Sequence, residues 1–287
     1  MSVPPEPAAA EPELLHRVEN GVLWVTLNRP RASNAITWDQ RDTIITLLGG
    51  ASANEAVRAV VVGAAGTRHF CTGMDLRGSP GTAPALATPP EDGTPAPPER
   101  PTGHTARMIR NGVLRLTAAV LDCEKPVIAA VNGTTAGYGM SLALACDLVI
   151  AADTARFIQI FARRGIIPDG GSTYLLPRLV GPQKAKELMF LGDDLPAAEA
   201  LRIGVVNRVV PPDELDATVR EWAERLATGP TRALAYTKRL VNRSLDTDRA
   251  TAFDAEADLV ELTMTTRDAH EGVAGLIERR KPEYHGW

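Results

Sequence analysis

Cysteine is scarce in this 287-residue chain, with three residues, Cys71, Cys123 and Cys146, and no C-x-x-C pair among them. Neither a disulfide framework nor a zinc site is expected from such a set, and a reducing, cytoplasmic setting is the better fit. Long apolar runs are missing too, and Met1 to Glu13 is rich in Pro, Ala and Glu without a basic segment leading into an apolar one, so neither membrane anchoring nor export is expected. Excess positive charge is absent: the formal net charge of -4 leaves no basic reservoir for a phosphate backbone, which argues against nucleic acid as a partner. The five histidines have no paired ligand spacing, and no metal is expected. What is present is a 44% hydrophobic, 23% charged composition, enough apolar material for a sizeable core and too much for a disordered chain.

Residues 1–13 read as a disordered tail. Leu14 to Val18 and Val22 to Leu27 are short strands around Asn20-Gly21, a pair that accepts the positive φ of a tight hairpin. Thr37 and Gln40 have the spacing of a capping box before a helix with Ile44, Ile45, Leu47 and Leu48, predicted to end near Gly49-Gly50. Val57 to Val62, Val127 to Val131 and Leu148 to Ala151 read as buried parallel strands, alternating with helical stretches. Residues 78–103 are Pro/Gly/Thr-rich and read as a mobile loop, either a lid or a tolerated insertion. From Pro211 onward the pattern is helical, with a break at Gly229-Pro230. The expectation is an α/β core over 14–210 followed by a helical region over 211–287, with no visible sequence repeat.

Two glycine-bearing turns carry the chemical signal. Gly73 follows the Val57 to Val62 strand and frees the N–H of Met74, at what reads as a helix start. Gly137-Tyr138-Gly139 follows the Lys125 to Val131 strand and opens the apolar run of Leu142, Leu144 and Ala145. Two turns that present backbone N–H groups are what a developing oxyanion needs.

With their flanks, these turns resemble the crotonase, or enoyl-CoA hydratase/isomerase, family. The resemblance runs from about Leu14 to Gly286. It is carried by Leu27-Asn28-Arg29-Pro30 with Asn34-Ala35, by Phe70 through Gly73 to Leu76, by Lys125-Pro126 through Asn132-Gly133 to Cys146-Asp147, by Gly165-Ile-Ile-Pro168, and by Ala197 through Gly204. It implies an α/β spiral of ββα units with a C-terminal helical trimerisation region, as a trimer or a dimer of trimers. It also implies an acyl-CoA thioester substrate, with CoA carried by that substrate and no separate cofactor. The resemblance makes the N–H groups of Met74 and Tyr138 the oxyanion donors, places Arg31, Ser33 and Ala35 along the CoA path, and puts Asp75, Leu76 and Arg77 beside it. The basic run Arg279, Arg280 and Lys281 is similar to one that reaches CoA in the same or an adjacent subunit.

The chain also departs from the family. The glutamates that hold water in the hydratases are matched here by Ser141 and Phe161, and Tyr138 stands where glycine is usual. A tyrosine there either narrows the acyl pocket, lends its hydroxyl to the site, or packs on a neighbouring helix. Serine without a partner and phenylalanine cannot serve as bases near neutral pH. Asp169 remains, in a Pro-Asp-Gly-Gly-Ser turn where several isomerase-like branches carry an acidic residue, and burial near Phe161, Tyr138 and Met140 would suit it to reversible proton transfer. A helix cap is its structural alternative. Double-bond isomerisation of an enoyl-CoA, with Asp169 as the proton shuttle, is therefore expected. An atypical hydratase and a non-catalytic acyl-CoA-binding member are the alternatives. A serine hydrolase built on Gly139-Met140-Ser141 with His270 or His285 lacks the final glycine of the nucleophile elbow.

Overall fold

The computed structural model describes residues 11–77 and 101–287. The expected tail is thus outside the described residues over 1–10, and the expected loop over 78–100. The chain opens with strands β1 (Leu14–Glu19) and β2 (Val22–Leu27), paired antiparallel through a turn in which Asn20 and Gly21 both take positive φ, 52° and 75°. Helix α1 (Trp38–Ala53) starts in the expected capping box: the Gln40 N–H donates to Thr37 Oγ1, and the Thr37 N–H donates to Gln40 Oε1. It does not end at Gly49-Gly50. Leu48 and Ala51 are both buried against the core, so packing carries the helix through two glycines that cost about 1 kcal/mol each in propensity.

The remaining strands are β3 (Ala59–Ala64), β4 (His69–Cys71), β5 (Val127–Val131), β6 (Thr134–Ala136), β7 (Leu148–Ala152), β8 (Arg156–Ile158), β9 (Leu195–Pro196) and β10 (Arg208–Val210). A large sheet is ordered β1-β2-β3-β5-β7-β10, and a small one β4-β6-β8-β9. From β2 to β10 the large sheet is parallel, as its valine-rich runs require when both faces are covered. Three times the chain leaves a strand of the large sheet and enters a short strand of the small one: β3 to β4, β5 to β6, β7 to β8. The repeat is one of backbone geometry, which is why no sequence repeat announces it.

The helices that follow are α2 (His104–Asn111), α3 (Val113–Asp122), α4 (Tyr138–Ala145), α5 (Ser172–Leu191, broken at Gly181), α6 (Ala197–Arg202), α7 (Leu215–Ala227), α8 (Thr231–Arg243), α9 (Arg249–Met264) and α10 (Arg267–Glu278). All eight residues of α4 are buried, so this short helix is enclosed on every side. Helix α7 closes the outer face of the large sheet, with Leu215, Val219, Ala223 and Ala227 packed on Val22, Val61, Ile128 and Ile150. Helix α8 is tied to the sheet by Lys238, whose Nζ lies 2.8 Å from Asp147 Oδ2 and donates to the Val120 carbonyl at 2.9 Å. The chain end is fastened as well: Asp268 accepts from the N–H groups of His285 and Gly286, and Arg58 donates to the Tyr284 and Gly229 carbonyls. Among the described residues, no helix is long and apolar enough to cross a membrane.

Candidate active site

The small sheet delivers the site. Strands β4, β6 and β8 are adjacent and parallel, with His69 paired to Thr134 and Thr135 to Phe157, so their C-terminal ends lie side by side. That edge is where α/β sheets characteristically receive ligands. Met74 follows the end of β4, Tyr138 follows the end of β6, and Phe161 and Asp169 follow β8. A Cβ placed on Gly73 would lie 3.6 Å from the Tyr138 nitrogen, which puts the two expected donor turns in contact.

One expectation needs correction. Met74 does not begin a helix; it forms an isolated parallel bridge with Ile36, in which the Ile36 N–H donates to the Gly73 carbonyl at 2.9 Å and the Asp75 N–H donates to the Ile36 carbonyl at 2.8 Å. The turn is held from both sides by a neighbouring extended segment, leaving the Met74 N–H between those two bonds. Tyr138 does begin a helix, α4, and its N–H is one of the first-turn donors that a helix cannot satisfy internally. Close approach fixes this arrangement: a Cβ on Gly139 would sit 2.0 Å from the Cys71 carbonyl oxygen, so only glycine lets α4 pack on the end of β4.

Of the three roles open to the Tyr138 ring, packing on a neighbouring helix is the one observed. The ring is 3% exposed, and its hydroxyl donates to the Val113 carbonyl at 3.2 Å and lies 3.5 Å from Thr117 Oγ1, both on α3. Burial drives the phenol well above its ordinary pKa, so it stays neutral. The Asp169 turn packs against this ring, since a Cβ on Gly170 would come within 2.3 Å of Tyr138 Cδ2.

Asp169 is half-buried, and its Oδ1 is buried with no hydrogen-bond partner among the described residues. Burial raises its pKa from 3.8 to about 6. It does not cap a helix: α5 is preceded by Gly171 and has no side-chain cap. Its main chain is held instead. Ser141 Oγ donates to the Asp169 carbonyl at 3.0 Å, and Thr117 Oγ1 lies 2.9 Å from the Gly170 carbonyl. Ser141 also contacts Ser172 Oγ at 2.7 Å, and none of its partners is a histidine; His270 is exposed and His285 stacks on Trp287. The hydrolase constellation is not assembled. Phe161, at the second vacated glutamate position, is buried close to Gly137, and Met140 is buried in the core.

The two segments expected along CoA meet in one patch. Arg29 joins them, donating to the Ala35 carbonyl at 2.7 Å while its guanidinium meets Asp75 at 2.9 Å, and Thr72 Oγ1 donates to the Ser33 carbonyl at 3.2 Å. Burial by itself would raise the Asp75 carboxyl, but the side chain and N–H of Arg77, with Arg29, hold it at about 2. Asp75 is committed to these guanidiniums. Arg31 and Arg77 are exposed, as is Leu76. Arg280 is bound by Glu271 and Glu278, leaving Arg279 and Lys281 exposed beside it. Sequence reasoning assigned no role to Asn34. It takes φ of 53°, accepts from the Arg29 N–H, and donates to the Ala65 and His69 carbonyls, pinning the turn to both sheets. An asparagine next to a serine in a loop of tight turns was the available signal.

A family model described as enoyl-CoA hydratase/isomerase matches residues 17–91 and 99–286. The chain belongs to the enoyl-CoA hydratase/isomerase family. It is therefore an enzyme of a family that processes acyl-CoA thioesters, with the crotonase fold. It is 34% identical to the 1,2-epoxyphenylacetyl-CoA isomerase of Escherichia coli strain K12, over 95% of this chain and 98% of that one. It is 36% identical to the crotonyl-CoA hydratase of Syntrophomonas wolfei, over 90% and 92%. The crystal structure of an enoyl-CoA hydratase from Bacillus anthracis superposes with a TM-score of 0.84 at 29% identity, covering 96% of this chain and 100% of that one.

Proposed function

We propose that this member of the family isomerises the double bond of an enoyl-CoA, with Asp169 as the single proton-transfer group. The observation that carries the reading is the buried, unpartnered Oδ1 of Asp169, in a turn whose next residue, Gly170, packs against the ring of Tyr138, the residue whose N–H is a candidate oxyanion donor. A carboxyl with a pKa near 6 gives up and recovers a proton at low cost near neutrality. The carboxylate removes a proton from the carbon between thioester and alkene. The charge moves to the thioester oxygen, where the N–H groups of Met74 and Tyr138 stabilise it. The carboxylic acid then returns the proton to the far carbon of the former alkene, which places the double bond in conjugation. Hydration needs a second group to hold water, and Ser141 is spent on Asp169 and Ser172 while Phe161 has no polar atom to offer.

The CoA moiety is assigned to the patch of Arg31, Ser33, Ala35, Asp75, Leu76 and Arg77, supported by its exposed guanidiniums beside the donor turns. CoA arrives and leaves with the acyl group, so no further cofactor is required. A trimer is assigned through the C-terminal helices, supported by apolar side chains that are exposed among the described residues, Phe253, Leu276 and Ile277 among them. A cytoplasmic setting is supported by three buried, unpaired cysteines. The test is product analysis with two substrates. A 3-enoyl-CoA should yield its 2-enoyl isomer, and a 2-enoyl-CoA in water should give little 3-hydroxyacyl-CoA. Hydration as the faster reaction would favour the hydratase, and binding without turnover a non-catalytic member.

A further inference from the structure

The glutamate position of the hydratases is filled here by a serine with a specific set of partners, and their hydrogen-bond directions can be worked out. The Asp169 carbonyl can only accept, so Ser141 Oγ–H donates to it at 3.0 Å. Ser141 has then spent its one proton and must accept from Ser172 Oγ–H, 2.7 Å away. Ser172 in turn must accept, which it does from the Gln159 side-chain amide at 3.1 Å. The directions are dictated by the end of the chain, and they fix the orientation of the Gln159 amide as well. Gln159, Ser172 and Ser141 are 1%, 0% and 0% exposed, so no water competes for these bonds.

We propose that Gln159, Ser172 and Ser141 form a one-directional hydrogen-bond chain whose purpose is to fix the main chain of Asp169, which makes Ser141 the positioning residue of the base. This rests on the reading of Asp169 as that base. The chain starts at the end of β8, crosses the first turn of α5 and ends on α4, linking three elements to the Asp169 carbonyl. It holds Asp169 by the backbone and leaves the carboxylate oxygen without a partner. A side-chain hydrogen bond would hold the residue too, but it would stabilise one protonation state and oppose a reversible proton transfer. Replacing the water-holding carboxylate by a hydroxyl thus turns a catalytic position into a support for a different catalytic residue.

The experiment compares wild type, Ser141→Ala, Gln159→Met and Asp169→Asn, following kcat, KM and the pH dependence of kcat/KM with a 3-enoyl-CoA, and a thermal melt for each. Ser141→Ala is expected to lower kcat roughly tenfold, with KM within about twofold, because the reacting carboxylate is displaced while the CoA patch is untouched. Its acid limb is expected to move to lower pH as the loosened turn gains solvent. Gln159→Met, at a side chain that bonds Ser172 rather than Asp169, is expected to act in the same direction but less, and it decides the matter if Ser141→Ala does not fold. Unchanged kcat and an unchanged acid limb in both folded variants, with Asp169→Asn inactive, would overturn the positioning role and spare the base. Full activity in Asp169→Asn would overturn both.

Discussion

The two halves of the site are built from different material. In the proposed reaction the Met74 and Tyr138 turns act through main-chain N–H groups, held by strand pairing and by glycine at close approach. The Tyr138 ring serves α3, while the N–H stays at the turn. In the proposed reaction the Asp169 half depends on side chains: the carboxylate is the proton-transfer group, and the hydroxyls of Ser141 and Thr117 hold the main-chain carbonyls of its turn. On the proposed reading, stabilising a thioester enolate falls to the backbone, whereas the choice of reaction falls to side chains.

That contrast can be broken from either side. The largest effect is expected at Gly139→Ala, whose Cβ would press on the Cys71 carbonyl oxygen. A loss of about 3 kcal/mol or more is expected in urea unfolding, because a strand end and a helix must separate. Asp169→Asn should do the opposite. The folded carboxyl has a pKa of about 6 against 3.8 unfolded, so between those values the native state keeps a proton that the unfolded state releases, and stability falls as pH rises. The asparagine variant is expected to exceed wild type by about 1–3 kcal/mol above pH ~7, with the gap closing below pH ~4, as read by thermal melts across pH. Tyr138→Phe sharpens the comparison with the smallest effect. Losing the hydroxyl bond to Val113 should cost about 1 kcal/mol, with kcat nearly unchanged, because the phenol is not the acting group. A large fall in kcat would place the hydroxyl in the site.

Much of the fold was legible because its signals are local. Asn20-Gly21, the Thr37 and Gln40 capping box, and the valine-rich strands each specify their own structure within a few residues. The end of α1 was misread because burial of Leu48 and Ala51, a tertiary effect, outweighs two glycines. Met74 was read as a helix start because its bridge to Ile36 joins segments far apart in sequence, and a glycine turn after a strand says nothing of what lies opposite it. In the site, the two turns were marked by their glycines, and Asp169 was singled out by the family resemblance. The support of Asp169 had no such mark: serines 141 and 172 and glutamine 159 become a chain only once three elements converge.

The most direct measurement is the growth of the conjugated enoyl-thioester absorbance when the protein meets a 3-enoyl-CoA, with Asp169→Asn beside it. Growth with wild type that falls by about 10²-fold or more in the variant is expected if Asp169 moves the proton. Equal growth in both proteins, or none with wild type, would contradict that role.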